Sequence, residues 1–165
     1  MNPLTHSKNS TILPLLTALA LSDMTARASQ NLPFRLGDEG TITFTGPSTA
    51  TTAGTGNANQ MGRIESAGSL TIVGEASCIG NEVGFSAEMQ DTFTAANGDM
   101  VTTAITMQLC PIAPGIYHGV GTYVVTGGTG RFANATGSGV FDGTGNFNTG
   151  TIICALNGTI SMNHH

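Results

Sequence analysis

The side chains able to do chemistry are few, and their spacing is that of extended strands. Arg63 and Glu65 alternate with Gly62, Ile64 and Ser66, so both point to one face of a strand. A carboxyl group buried beside a guanidinium would be a tuned acid or a stabiliser of cationic charge. The same two groups in solvent would be a cross-strand or diagonal ion pair contributing about 0–1 kcal/mol. Tyr117 and Tyr123 share a face, and Gly119 and Gly121 between them clear space for a ligand or a neighbour's ring. Arg63, Glu65 and Tyr123 are the candidate catalytic residues, and Tyr117, Phe85 and Met107 the candidates for contact with a substrate. Glu88 opposes the apolar face of its strand and is expected in solvent.

Other chemistries find no support. His118 is the one histidine between the N-terminal segment and the terminal His164-His165, and it faces away from both tyrosines. With no nucleophile elbow beside it, Ser-His-Asp or Cys-His hydrolysis is disfavoured. Cys78, Cys110 and Cys154 lack Cys-x-x-Cys or His-x-x-x-His spacing, so no metal is expected, and nothing asks for a cofactor. Lys and Arg total 5 against 10 Asp and Glu. A phosphate-binding surface needs clustered cations, which excludes nucleic acid as a partner.

The N-terminal segment points to export. Lys8 precedes an apolar stretch, Thr11 to Leu21, and Ala26-Arg27-Ala28 fits a cleavage site, so residues 1–28 read as a signal peptide. The stretch is short of the ~20 residues that span a bilayer, and no membrane span is expected. The expected location is secreted or periplasmic, where one disulfide among Cys78, Cys110 and Cys154 would leave one thiol over. Sequence does not choose the pair, and three buried thiols are the alternative.

What must position these groups is a set of short strands. Ile42 and Phe44 share a face opposite threonines, and Ser69-Leu70-Thr71-Ile72 repeats the pattern. Val83, Phe85, Ala87 and Met89 alternate with Ser86, Glu88 and Gln90; Val101 to Leu109 and Tyr117 to Thr126 are longer runs. Segments 138–142, 150–155 and 157–162 complete about eight strands. Asn97-Gly98 and Asp142-Gly143 read as type I′ hairpin turns, with Asn157-Gly158 either a further break or a bulge. Residues 46–60, almost without apolar side chains, are expected to be a mobile loop within one domain, 29–165. So many short antiparallel strands would expose edges unless the sheet closed or doubled, so the expectation is an all-β barrel or sandwich.

Gly127-Gly128-Thr129-Gly130-Arg131-Phe132 permits positive φ and close backbone approach. Phe132 could plug a barrel end while Arg131 bonds carbonyls left unpaired by the turn. A phosphate-cradling loop is the rival reading, but no helix pattern or Lys-Ser/Thr follows. The segment resembles the Gly-Gly-Thr-Gly-x-Phe run of dirigent proteins and the Gly-Gly-Ser-Gly run of allene oxide cyclases. It is similar also to small exported bacterial proteins in which Asn97-Gly98-Asp99 and Leu156-Asn157-Gly158-Thr159-Ile160 have counterparts. The resemblance implies an eight-stranded antiparallel β-barrel with an apolar cavity, preceded by a short leader, helical or disordered. It also implies a homo-oligomer, dimer or trimer.

Three functions remain. The first is a cofactor-independent isomerase or cyclase that holds a small apolar substrate in a reactive conformer inside the barrel. The second is a non-catalytic extracytoplasmic binder of lipophilic or phenolic molecules. The third is a structural or surface-associated barrel whose lumen is packed by Phe85, Phe93, Phe132 and Phe141.

Overall fold

The computed structural model describes residues 30–162. The 1–28 segment read as a signal peptide and the terminal His164-His165 lie outside them. Eight strands follow one another: β1 (Gln30–Phe44), β2 (Thr49–Ala58), β3 (Gly62–Ser77), β4 (Val83–Ala95), β5 (Met100–Ala113), β6 (Ile116–Gly128), β7 (Thr136–Asn146) and β8 (Thr151–Met162). Each pairs antiparallel with the next, and β8 returns to β1 from Gln30↔Met162 to Thr41↔Thr151. The described residues form an all-β closed barrel, and closure leaves no strand edge unpaired among them.

The ring is strongly staggered. Directly paired residues run Glu75, Phe85, Leu109, Gly119, Gly143, Cys154, Asp38, Gly56 and return to β3 at Ile64. Such an offset means strands steeply tilted to the barrel axis. Period-2 alternation decides what lies inside: Phe34, Leu36 and Ile42 of β1 are buried, as are Met89 and Phe93 of β4 and Ile105, Met107 and Leu109 of β5. Full burial of each such side chain contributes roughly 1.5–3 kcal/mol.

Four expectations fail, each for a definable reason. Residues 49–58, inside the stretch expected to be a mobile loop, form β2, paired to β1 from Phe44↔Ala50 to Leu36↔Ala58 and to β3 from Thr49↔Thr71 to Ala58↔Gly62. Its inward residues are Ala50, Thr52, Gly54, Gly56 and Ala58, small because larger side chains from other strands fill the lumen there. Asp142-Gly143 is not a turn but the middle of β7, with Asp142 opposite Val120 and Ala155. Asn157-Gly158 likewise lies inside an unbroken β8, with Asn157 opposite Arg35 and Val140. Asn97-Gly98 does end a hairpin, between β4 and β5, but Asn97 is not at positive φ and Gly98 is, at 87°. That is the geometry of a longer turn closed by a left-handed glycine, not of type I′.

Candidate functional site

One end of the lumen is closed. The Gly127–Phe132 segment ends β6 and enters a 3-10 turn, Gly130–Phe132, that drives Phe132 into the barrel, where it is fully buried. Phe34, Phe93, Met61 and Ile160 pack there with it. Arg131 does not bond the turn's carbonyls. Its Nε donates to Asp99 Oδ2 at 2.7 Å, and Asn97 Nδ2 donates to the same oxygen at 2.9 Å. Gly130 has φ 57°, and a β-carbon there would run into the Asp99 carboxylate. The glycines of this motif are turn chemistry.

Midway along the barrel the wall turns polar. Ser66 Oγ donates to Asp38 Oδ2 at 2.7 Å, and Thr52 Oγ1 donates to the buried Asp91 Oδ1 at 3.2 Å. Gly68 makes room for Asp91, whose carboxylate would collide with a β-carbon at that position. Burial pushes the Asp91 carboxyl up to about 6, the Asp38 charge adds to it, and the Thr52 hydrogen bond opposes it. Burial raises Asp38 as well, against the Ser66 bond. Cys154, the free cysteine, pairs across the β1–β8 ladder with Asp38. Burial and then the two carboxylates hold its thiol far above the ordinary value, so it is an inert thiol at neutral pH.

Beyond this belt lies an apolar cavity. Met89, Met107, Leu109 and Phe141 line it, with Thr52 and Cys154 on the wall shared with the acids. Its free space is about 30 Å³, room for about two waters. Above it stands an aromatic rim: Tyr117 stacks on Phe147 at 4.9 Å, Phe44 meets Phe147 edge-on at 5.1 Å, and Phe85 lies 5.8 Å from Tyr117. Two methionines below this rim can change rotamer at little cost, so the cavity can widen for a larger guest.

The sequence candidates divide accordingly. Tyr117, Phe85 and Met107 come together at this open end. Arg63 and Glu65 do not belong to it: both project outside the barrel, because Ile64 between them takes the lumen. Tyr123 is inside yet does not line the cavity. Its ring lies over Gly139 and Gly158, which sit between Tyr123 and Phe34 in the cross-strand row, and the two rings are 6.3 Å apart. Its hydroxyl and that of Thr103 are buried without a protein partner. Glu88 is exposed as expected, and His118 pairs with Asp142 at 3.1 Å on the outer wall. Cys78 and Cys110 form the disulfide, tying the β3–β4 connection to the end of β5. Among the described residues no cluster suited to a metal ion occurs.

Asp38, Asp91, Thr52 and Cys154 are the site residues that sequence reasoning missed. The signal for Asp91 was present, since the alternation Phe85, Ala87, Met89 carried one step further reaches it. A buried acid whose affinity for a proton lies near neutrality can give or accept one. Beside an apolar cavity it can also stabilise positive charge developing on a guest.

No family model matches this sequence, and no curated protein matches it. Among solved structures the chain is similar to the pterocarpan synthase dirigent protein GePTS1, at 14% identity and a TM-score of 0.44, over 82% of this chain and 92% of that one. The barrel assignment rests on the strand pairing described above.

Proposed function

We propose that the chain takes a small apolar molecule into the open end of its lumen. Asp91, with Asp38 beside it, then acts on that molecule as an acid or charge stabiliser in a cofactor-independent isomerisation or cyclisation. The observation that carries this reading is the shared wall. Thr52 and Cys154 line the apolar cavity, and the Thr52 hydroxyl is bonded to the Asp91 carboxyl group, which is held near pH 6. An uncharged guest packed on Met89, Met107 and Phe141 would thus lie one hydroxyl away from a dry proton donor. The Cys78–Cys110 disulfide supports a working place in an oxidising compartment, secreted or periplasmic.

A second reading, binding without chemistry, draws support from the narrowness of the cavity. Held packing around a few waters' worth of space suits retention of a ligand better than turnover. Untargeted mass spectrometry of material copurified from the native host tests both readings. Recovery of a small apolar molecule with wild type and with Asp91→Asn would support lumen binding. Conversion of that molecule by wild type and its loss in Asp91→Asn would establish the chemistry. If no molecule is recovered and none from an apolar library shifts the methionine methyl resonances, the lumen is a packed core and both readings fall.

A further inference from the structure

The two acids of the lumen have no cation to balance them. Asp38 reaches from β1 across Gly54 of β2, and its carboxylate accepts from Ser66 of β3. Asp91 reaches the other way, from β4 across Gly68 of β3, and accepts from Thr52 of β2. Gly54 stands opposite Ser66 and Gly68 opposite Thr52, so a glycine clears the path of each carboxylate to a hydroxyl one strand further on. Arg35, Arg63 and Arg131 are exposed, and His118 pairs with Asp142 on the outer wall. Among the described residues no cationic side chain faces the interior.

What this wall offers a guest is acceptors. The Thr52 and Ser66 hydroxyls direct their protons at the acids. The other oxygen of each carboxylate, Oδ1 of Asp38 and Oδ2 of Asp91, receives no hydrogen bond from a described residue. Thr103 lies directly opposite Asp91 on the same inner face, 2% exposed, and its hydroxyl has no protein partner. The Tyr123 hydroxyl, also unbonded, lies apart over Gly158. Beside Asp91 the lumen thus holds buried oxygens that lack a donor, next to an apolar cavity.

We infer that the guest of this lumen is a small primary amine, its ammonium head held by Asp91, Asp38 and Thr103 and its apolar body by Met89, Met107 and Phe141. The inference rests on the reading that the open end admits a guest, and it names the class of that guest. A guest without a donor would strip water from two carboxylates and return no hydrogen bond, which penalises its binding. An anion is repelled outright. The donorless oxygens of Asp38, Asp91 and Thr103 match the three N–H groups of a primary ammonium. They are too few for a hard divalent ion, which takes about six to eight oxygens. A quaternary ammonium has no N–H to give them. An amine that enters as its free base takes the proton of Asp91: the O–H bond breaks, an N–H bond forms on the nitrogen lone pair, and the ion pair stays inside. Burial and the Asp38 charge, which favour a proton on Asp91, favour an ammonium beside it for the same reason.

n-Butylamine, n-butanol and n-butyrate share an apolar chain and differ in the head, so their comparison isolates the class. Titrated into protein labelled at its methionine methyls, at neutral pH and physiological salt, butylamine should shift the Met89 and Met107 resonances. It should bind roughly tenfold or more tightly than butanol, and butyrate should not bind. Asp91→Asn keeps an acceptor for Thr52; folded by circular dichroism, it should lose roughly tenfold or more in amine affinity and leave butanol unaffected. Thr103→Val, the same shape without the hydroxyl, should lose severalfold. Butanol binding as tightly as butylamine overturns the amine class while lumen binding itself stands. Amine affinity unchanged by Asp91→Asn and by Asp38→Asn also overturns it, and assigns the amine to carboxylates of the outer wall. If none of the three shifts a methionine methyl, the inference falls, and the apolar library decides separately whether the lumen takes any guest.

Discussion

Arg131 and Asp99, separated by 32 residues, are joined by a 2.7 Å charge-assisted hydrogen bond that locks the β4–β5 hairpin onto the turn leaving β6. Arg131, then Asn97, hold the Asp99 carboxyl below the ordinary aspartate range. Thr129 completes the junction, its Oγ1 accepting from Met100 N–H at 3.1 Å. The lid over the closed end is therefore one unit assembled from two segments, with Phe132 as its apolar underside.

Gly130→Ala should damage this unit more than Arg131→Ala does. The alanine must hold a left-handed backbone and also displace the Asp99 carboxylate. A cost of about 1–3 kcal/mol is expected, against a smaller one for loss of the exposed arginine. Urea midpoints of the two variants give the comparison, and equal midpoints would contradict the close approach.

Stability should fall as pH rises from about 4 to 6, the reverse of ordinary acid denaturation. The unfolded Asp91 titrates near the ordinary aspartate value of 3.8 and the folded one near 6, so between those values the folded chain binds more protons than the unfolded chain. Stability gained from that proton is fully present below the unfolded value and lost as pH passes the folded one. The difference is on the order of 2–3 kcal/mol. Asp91→Asn, whose side-chain oxygen can still accept from Thr52, should flatten the slope and match or exceed wild type at pH 7.5. Chemical denaturation across the range from pH 4 to 7.5 measures both.

Tyr123→Phe should stabilise the fold by about 1 kcal/mol. The ring fills the space over Gly139 and Gly158 in either case, and the substitution deletes a buried hydroxyl that no protein group bonds. A lower denaturation midpoint in Tyr123→Phe would show that the hydroxyl has a partner.

Peptide mapping without reduction should recover Cys78 linked to Cys110 and Cys154 unmodified. Cys154 should resist alkylation at pH 8 until the barrel unfolds, because burial, and then the two carboxylates beside it, keep its thiol protonated. Replacing Cys78 and Cys110 together by Ala should cost about 2–5 kcal/mol, read from thermal unfolding.

The sequence by itself determined the strand class, most strand centres and the inward faces wherever one face was apolar. Phe85, Ala87 and Met89 were legible because alternation is a local property of the extended chain. It determined too that the Gly127–Phe132 segment is a turn. Only the tertiary structure decided that β2 is a strand, since Ala50, Thr52, Gly54, Gly56 and Ala58 look like a linker until larger residues from other strands face them. The same holds for Asp142-Gly143 and Asn157-Gly158, where long neighbouring strands override local turn preference. The acid pair was beyond sequence for a stronger reason. Asp38 and Asp91 lie on strands that never pair with each other, and only closure of a staggered ring turns both inward around one interior. Their burial, and with it the chemistry proposed for them, belongs to the barrel and not to any segment of the chain.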